Sequence, residues 1–204
     1  MGQVLPLDAL LAARTVWHAG RGTATAGDGE PTGMAALDAV LPDRGWPRGA
    51  LTELLLPADG VGEIALLLPA LARMTATGGR VVLVDPPYIA YAPAWQAGGV
   101  DLARLEIVVA PPRDALWAFE QCLRSGACAA VLGWPRTADD RALRRLQVAA
   151  DAGDCCAFAL RDRRHAVNAS PAALRLEYLP ADDAWQVRKC RGAQPPARPI
   201  RLAH

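Results

Sequence analysis

The sequence predicts an α/β protein with a mostly parallel central sheet, flanking helices and an antiparallel pair of strands at its C-terminal edge. Strand-like apolar runs alternate with helical patterns, which is typical of parallel strands joined by crossover helices. Several runs are apolar throughout, which indicates burial on both faces. Of the 204 residues, 52% are hydrophobic, enough for one substantial core. We expect an N-terminal segment over residues 1–30 and one core domain over residues 31–204.

The predicted elements alternate along the core domain. Strands are predicted at 51–56, 80–85, 105–110, 127–134 and 155–161, and helices at 62–77, 92–98, 112–126 and 138–153. Pro112 and Asp114 suit the first turn of their helix, where proline loses no hydrogen bond and the helix dipole stabilises an acidic side chain. Gly153 suits the end of the last helix. Two more strands, at 173–179 and 184–190, are joined by the turn-rich PADD and predict the antiparallel pair.

The N-terminal segment predicts a short amphipathic helix from Leu5 to Trp17, followed by a glycine-rich linker. Leu7, Leu10, Leu11 and Trp17 recur at near-helical spacing and form its apolar face. Because the linker separates this face from the core domain, these four residues are our candidate contacts with a partner. Packing against the chain's own core domain is an equal alternative.

The composition argues against three features: a general affinity for nucleic acid, a metal site and contact with a membrane. The net charge is +1 and Lys189 is the only lysine among 22 basic residues, so no global positive field for nucleic acid is expected. The five cysteines contain no C-x-x-C pair and the three histidines are scattered, so we expect no metal site. The sequence predicts no signal peptide, and it has no run of about 18 apolar residues. We expect no contact with a membrane and a cytoplasmic location.

A glycine-bearing turn between the first predicted strand and its helix has the outline of a phosphate-binding loop. Such a loop reads G-x-x-x-x-G-K-[ST], in which lysine reaches the outer phosphates and the hydroxyl holds magnesium. With Gly62 as the last glycine, Pro57 stands at the first glycine, Gly60 lies between them, Glu63 replaces lysine and Ile64 replaces the hydroxyl. A carboxylate about 4 Å from a phosphate is opposed by roughly 4 kcal/mol per charge pair. The loop is therefore degenerate, and no nucleotide cofactor is expected.

Residues 31 to about 202 resemble the RecA recombinase core. The landmarks that carry this resemblance are Thr32-Gly33, Leu37-Asp38, Gly45, Pro47, Gly49, Glu53, Asp85 and the GVD at 99–101. Over its full length the chain further resembles the ImuA family, RecA-like accessory proteins of a bacterial translesion-synthesis cassette. The segments that carry this resemblance include GWPRGALTELLL, PPYIAYAPA and ALWAFEQCLRSGAC.

The resemblance to RecA implies two further lost positions. A catalytic glutamate is expected shortly after the second strand, where this chain has Pro87, and proline cannot activate water. A metal-directing aspartate is expected at the end of the fourth strand, where this chain has Trp134. No catalytic residue remains at this site, and no other catalytic signature is visible in the sequence. We expect a protein that is not an enzyme.

The family resemblance also implies partners. These are ImuB, an inactive Y-family polymerase homologue, and through it an error-prone replicative-type DNA polymerase, with RecA as a further partner. Arg161, Arg163, Arg164 and His165 follow the last parallel strand, where the DNA-contacting loop of RecA begins. They are candidate phosphate contacts, although a solvated basic loop is the simpler interpretation. Contact with DNA stays open.

Other classes of function are alternatives to an accessory protein of translesion synthesis. A SulA-type cell-division inhibitor would share the reduced RecA-like architecture and bind FtsZ. A residual ATPase or recombinase, or a site that binds nucleotide without hydrolysis, would belong to the enzyme or nucleotide-binding classes.

Overall fold

A computed structural model of the protein describes residues 29–202. The predicted N-terminal helix, with Leu7, Leu10, Leu11 and Trp17, lies outside these residues, so its contacts stay a prediction. The strands are β1 (Ala50–Leu56), β2 (Val81–Val84), β3 (Leu105–Val108), β4 (Ala130–Gly133), β5 (Cys156–Asp162), β6 (Leu174–Leu179) and β7 (Ala184–Cys190). The helices are α1 (Ala35–Asp38), α2 (Glu63–Ala76), α3 (Ala92–Ala97), α4 (Pro112–Arg124) and α5 (Asp140–Gly153).

The seven strands within residues 29–202 form one sheet in the order β3-β2-β4-β5-β1-β6-β7. All neighbouring pairs are parallel except β6 and β7, which are antiparallel. Every residue of β1, β2 and β4 is buried, because helices cover both faces of the central strands. The predicted fold class is confirmed, including the antiparallel pair at one edge.

Two hydrophobic cores lie on the two faces of the sheet. On one face, α1, α2 and α3 pack over a core in which the Trp46 ring meets the Phe158 ring edge-on at 5.3 Å between centroids. On the other face, α4 and α5 pack over a core that includes Phe119 and Leu146. The helices therefore leave the strands toward opposite faces, and this determines where crevices open between the strand ends.

The helix α5 ends at Gly153, as the sequence predicted, and the residue with the left-handed backbone is the next one, Asp154, with φ of 47°. Gly153 is glycine for another reason. A Cβ atom placed there would lie 1.9 Å from the carbonyl oxygen of Leu123 in α4. The glycine permits the close approach of α4 and α5.

The parallel strands β1 to β6 all end at the same edge of the sheet. Four of the six connections that leave it carry residues singled out in the sequence, at 57–62 after β1, 85–91 after β2, 134–139 after β4 and 163–168 after β5. We call these four connections the carboxyl edge. In open α/β sheets, ligands bind at this edge, so the candidate site is built there.

Candidate site at the carboxyl edge

The degenerate loop joins β1 to α2 in the position that a phosphate-binding loop occupies. Gly60 and Gly62 both have left-handed backbones, with φ of 83° and 96°, so the loop makes the turn that glycine permits. Side chains added at either glycine would meet nothing within 4 Å. The loop is therefore open to solvent at both glycines, and space does not exclude a ligand.

Glu63 stands at the lysine position of the loop and binds the loop backbone. It is the first residue of α2 and only 3% exposed, and its Oε1 accepts a hydrogen bond from the backbone N–H of Gly60 at 3.0 Å. Its second carboxylate oxygen is buried without a partner among the described residues. The backbone donor and the positive end of the α2 dipole, which would serve a phosphate, serve this carboxylate instead. Ile64, the next residue, packs against the core under α2.

The two positions at which the RecA resemblance predicts lost catalytic residues lie on neighbouring connections of the same edge. Pro87 follows β2 and Trp134 follows β4, and these strands are paired in the sheet. Trp134 packs against the core on the α2 face, and its indole N–H is buried without a hydrogen bond to any described residue. The connection after β4 also contacts the degenerate loop, through an ion pair of 2.9 Å between Arg136 and Asp59. The edge thus brings together the positions that the sequence analysis singled out at Glu63, Pro87 and Trp134.

A buried triad of Glu53, Arg161 and Arg175 crosses the centre of the sheet. Glu53 in β1 is fully buried, and its two carboxylate oxygens lie 2.7 Å from Arg161 in β5 and 2.7 Å from Arg175 in β6. Arg161 also donates to the carbonyl oxygen of Ala138 at 2.6 Å. The structure corrects the expectation for Arg161. Its guanidinium is buried and already bound, so it is not available to contact DNA phosphates.

The second arginine of the triad fixes the turn after β5. Arg175 donates to the carbonyl oxygens of His165, Ala166 and Asn168, at 2.8, 3.3 and 2.9 Å. These bonds hold a 3-10 turn over residues 163–167. The turn is therefore tied to the sheet interior through three carbonyl oxygens.

Arg163 and Arg164 are exposed on this turn, and Arg164 lies 3.8 Å from Asp162. Burial, followed by the positive charges of Arg161 and Arg164, lowers the pKa of the His165 imidazole. The predicted DNA contacts of Arg163 and Arg164 stay predictions.

Sequence reasoning missed the triad, although a signal was present. Glu53, Arg161 and Arg175 each stand within a strand that is otherwise largely apolar, and charged residues are almost never fully buried unless they are paired. Their opposite charges therefore indicate mutual pairing. The partners themselves could not be chosen without the order of the strands.

Comparison with known proteins shows a partial similarity to RecA. The chain is 35% identical to RecA of Streptomyces ambofaciens over 100 residues, which is 48% of this chain and 26% of that protein. It is 38% identical to RecA of Chlorobaculum parvum over 100 residues, which is 47% of this chain and 28% of that protein. About half of the chain is RecA-related. The chain spans about a quarter of the length of these RecA proteins.

A solved structure of SulA from Pseudomonas aeruginosa is similar over 54% of this chain and 96% of that one, with a TM-score of 0.46 and 22% identity. No family model matches the chain. Within residues 29–202, no helix has the length and apolar character needed to cross a membrane.

Proposed function

We propose that this chain is a non-catalytic, RecA-like accessory protein of the ImuA family. It would act as an adaptor, by protein–protein contact, within a translesion-synthesis complex that DNA damage induces. Its similarity to RecA over about half its length supports a role in the response to DNA damage. The partners in this proposal are an ImuB-like polymerase homologue, RecA and, indirectly, an error-prone polymerase, all in the cytoplasm.

The observation that carries the non-catalytic part is the position of Glu63. Its carboxylate holds the backbone N–H of Gly60 at the start of α2, where a phosphate group would need both that donor and a positive side chain. A bound phosphate would meet a negative charge in place of lysine. Pro87 and Trp134 remove the water-activating and metal-directing groups from the same edge. Glu63, Pro87 and Trp134 together support the proposal that the protein uses a RecA-like fold for binding and does not turn over ATP.

ATP binding and turnover by the purified protein test this part. We expect no heat of binding with Mg-ATP in calorimetry and no phosphate release above a mock purification. The variant Glu63→Lys with Ile64→Thr restores the two missing side chains and is expected to gain measurable Mg-ATP binding. ATP hydrolysis that purifies with the protein and disappears in Glu63→Ala would overturn the proposal in favour of a residual ATPase.

Calorimetry against an ImuB-like protein, RecA and FtsZ tests the adaptor part. Saturable binding to the first or second partner is expected. The double variant Leu10→Asp, Leu11→Asp should weaken it if the predicted N-terminal helix carries the contact. Ala9→Asp with Ala12→Asp, on the opposite side of that predicted helix, is the matched control. Binding to FtsZ alone would replace the adaptor with a SulA-type inhibitor of cell division.

A further inference from the structure

A crevice of about 390 Å³ opens at the carboxyl edge between the ends of β2 and β4. The connection that leaves β2 runs to α3 on one face of the sheet, whereas the connection that leaves β4 runs to α5 on the other. Two neighbouring strands whose connections diverge in this way leave a gap between them, which is the usual place for ligands in open α/β sheets. Its walls include Pro87, Pro112, Leu116 and Trp134.

One carboxylate in this crevice has no partner within residues 29–202. Asp85 lines it directly after β2, and its side chain makes no hydrogen bond or ion pair with any residue from 29 to 202. The basic side chain that shares the crevice, Arg136, is held by Asp59 at 2.9 Å. Asp85 also has a left-handed backbone, with φ of 49°. Strained, non-glycine residues of this kind cluster at binding sites.

Apolar side chains continue from the crevice onto the surrounding surface. Tyr88 and Ile89 directly follow Pro87 and are 67% and 96% exposed. Val109 is 82% exposed and follows Val108, whose carbonyl oxygen accepts the backbone N–H of Asp85 at 2.8 Å. Exposed apolar residues gathered in one place mark interaction surfaces. Asp85 could pair with a cationic group of a ligand, and Tyr88, Ile89 and Val109 could contact apolar groups on either side of it.

We infer that this crevice binds an arginine side chain within an extended apolar segment of a partner protein, with Asp85 as the carboxylate that receives it. Arginine fits better than lysine because its planar, weakly hydrated guanidinium stacks on flat walls such as the indole and proline rings, and pairs with a carboxylate through two donors. The inference rests on the proposed adaptor function, since it names where the adaptor holds its partner.

A titration by NMR tests the site directly. The probe is the peptide acetyl-Leu-Arg-Leu-amide, followed through the backbone amides of Asp85, Trp134 and Thr137 in the full chain. We expect saturable shifts at these amides. Binding should be weakened roughly tenfold when citrulline, which keeps the shape and loses the charge, replaces arginine. Asp85→Asn, which preserves the tolerance for a left-handed backbone, should have the same effect. Asp182→Asn, an exposed acid on the β6–β7 turn, is the matched control and should bind as the unmodified protein does.

Three outcomes would overturn the inference: equal binding of the citrulline peptide, unchanged binding by Asp85→Asn, or shifts confined to residues outside the crevice. Its failure is distinguishable from failure of the adaptor role. If an ImuB-like protein or RecA binds with the same affinity to Asp85→Asn and to the unmodified protein, the adaptor stands and the crevice does not. If the arginine peptide binds and none of the proteins does, the crevice stands and the adaptor role fails.

Discussion

Glu53 is a single carboxylate on which two buried arginines depend. Replacing it with alanine would leave Arg161 and Arg175 as uncompensated charges in the sheet interior, and breaking a buried pair in this way costs about 3–5 kcal/mol. We therefore expect Glu53→Ala to lower the free energy of unfolding in urea by that amount.

Glu177→Ala in β6 is the matched control for Glu53→Ala. Glu177 pairs with Arg188, whose side chain is 47% exposed, so water can solvate the arginine that is left behind. We therefore expect Glu177→Ala to lower the free energy of unfolding clearly less than Glu53→Ala does. Equal losses of unfolding free energy in the two variants would show that removing Glu53 does not leave Arg161 and Arg175 as costly buried charges.

Single residues also show how far the sequence could predict the site. The loop pattern predicted the position of Glu63 and the RecA resemblance predicted those of Pro87 and Trp134, so all three could be named before the structure. Arg161 could not be assigned correctly, because its carboxylate partner lies 108 residues away. The position of Asp85, whose carboxylate has no partner among the described residues, could not be predicted either, since only the pairing of β2 with β4 places it beside Trp134.

Among the elements, α5 begins at two adjacent aspartates with different roles. The Asp139 side chain accepts a hydrogen bond from the backbone N–H of Ala142 at 2.7 Å and caps the helix, whereas Asp140 pairs with Arg144 on the exposed surface. Asp139→Ala should cost about 1 kcal/mol of unfolding free energy. Asp140→Ala should cost only a few tenths. Urea unfolding of both variants measures the difference, and a reversed order would contradict the capping role.

The crossing of α4 and α5 makes a second prediction at this scale. Helix propensity alone would make Gly153→Ala stabilising by about 1 kcal/mol. Contact with the Leu123 carbonyl oxygen should reverse the sign, and we expect a loss of about 1–3 kcal/mol in thermal or urea unfolding. Ala152→Gly at the exposed neighbouring position is the control and should cost about 1 kcal/mol. A more stable Gly153→Ala protein would show that the helices separate freely.

The order of the elements was predictable, but their arrangement was not. Apolar runs such as VVLV in β2 and the helical pattern of α5 are local signals, and both fall where they were expected. The pairing of β1 with β5 and β6 joins residues about 100 or more positions apart. No periodicity within a strand encodes that choice.

At the scale of the whole molecule, buried thiols link stability to pH. Burial raises the pKa of Cys155 and of Cys156 from 9.0 to about 12, and that of Cys190 to about 11. Above pH 9 the unfolded chain releases these protons while the folded chain keeps them, so the unfolded state binds fewer protons. The free energy of unfolding therefore falls as pH rises from about 9 toward 12.

Urea unfolding at pH 8.0, 9.5 and 10.5 (roughly spanning the ordinary thiol pKa) measures this fall. Burial lowers the pKa of Lys189, which acts with the opposite sign, but it is one group against five thiols whose pKa burial raises. The double variant Cys155→Ala, Cys156→Ala should flatten the pH dependence, since it removes the two thiols whose pKa is raised to about 12. Cys190→Ala should flatten it less. A stability that is constant over this range in the unmodified protein, or equally steep in the double variant, would show that the two adjacent thiols are not the source.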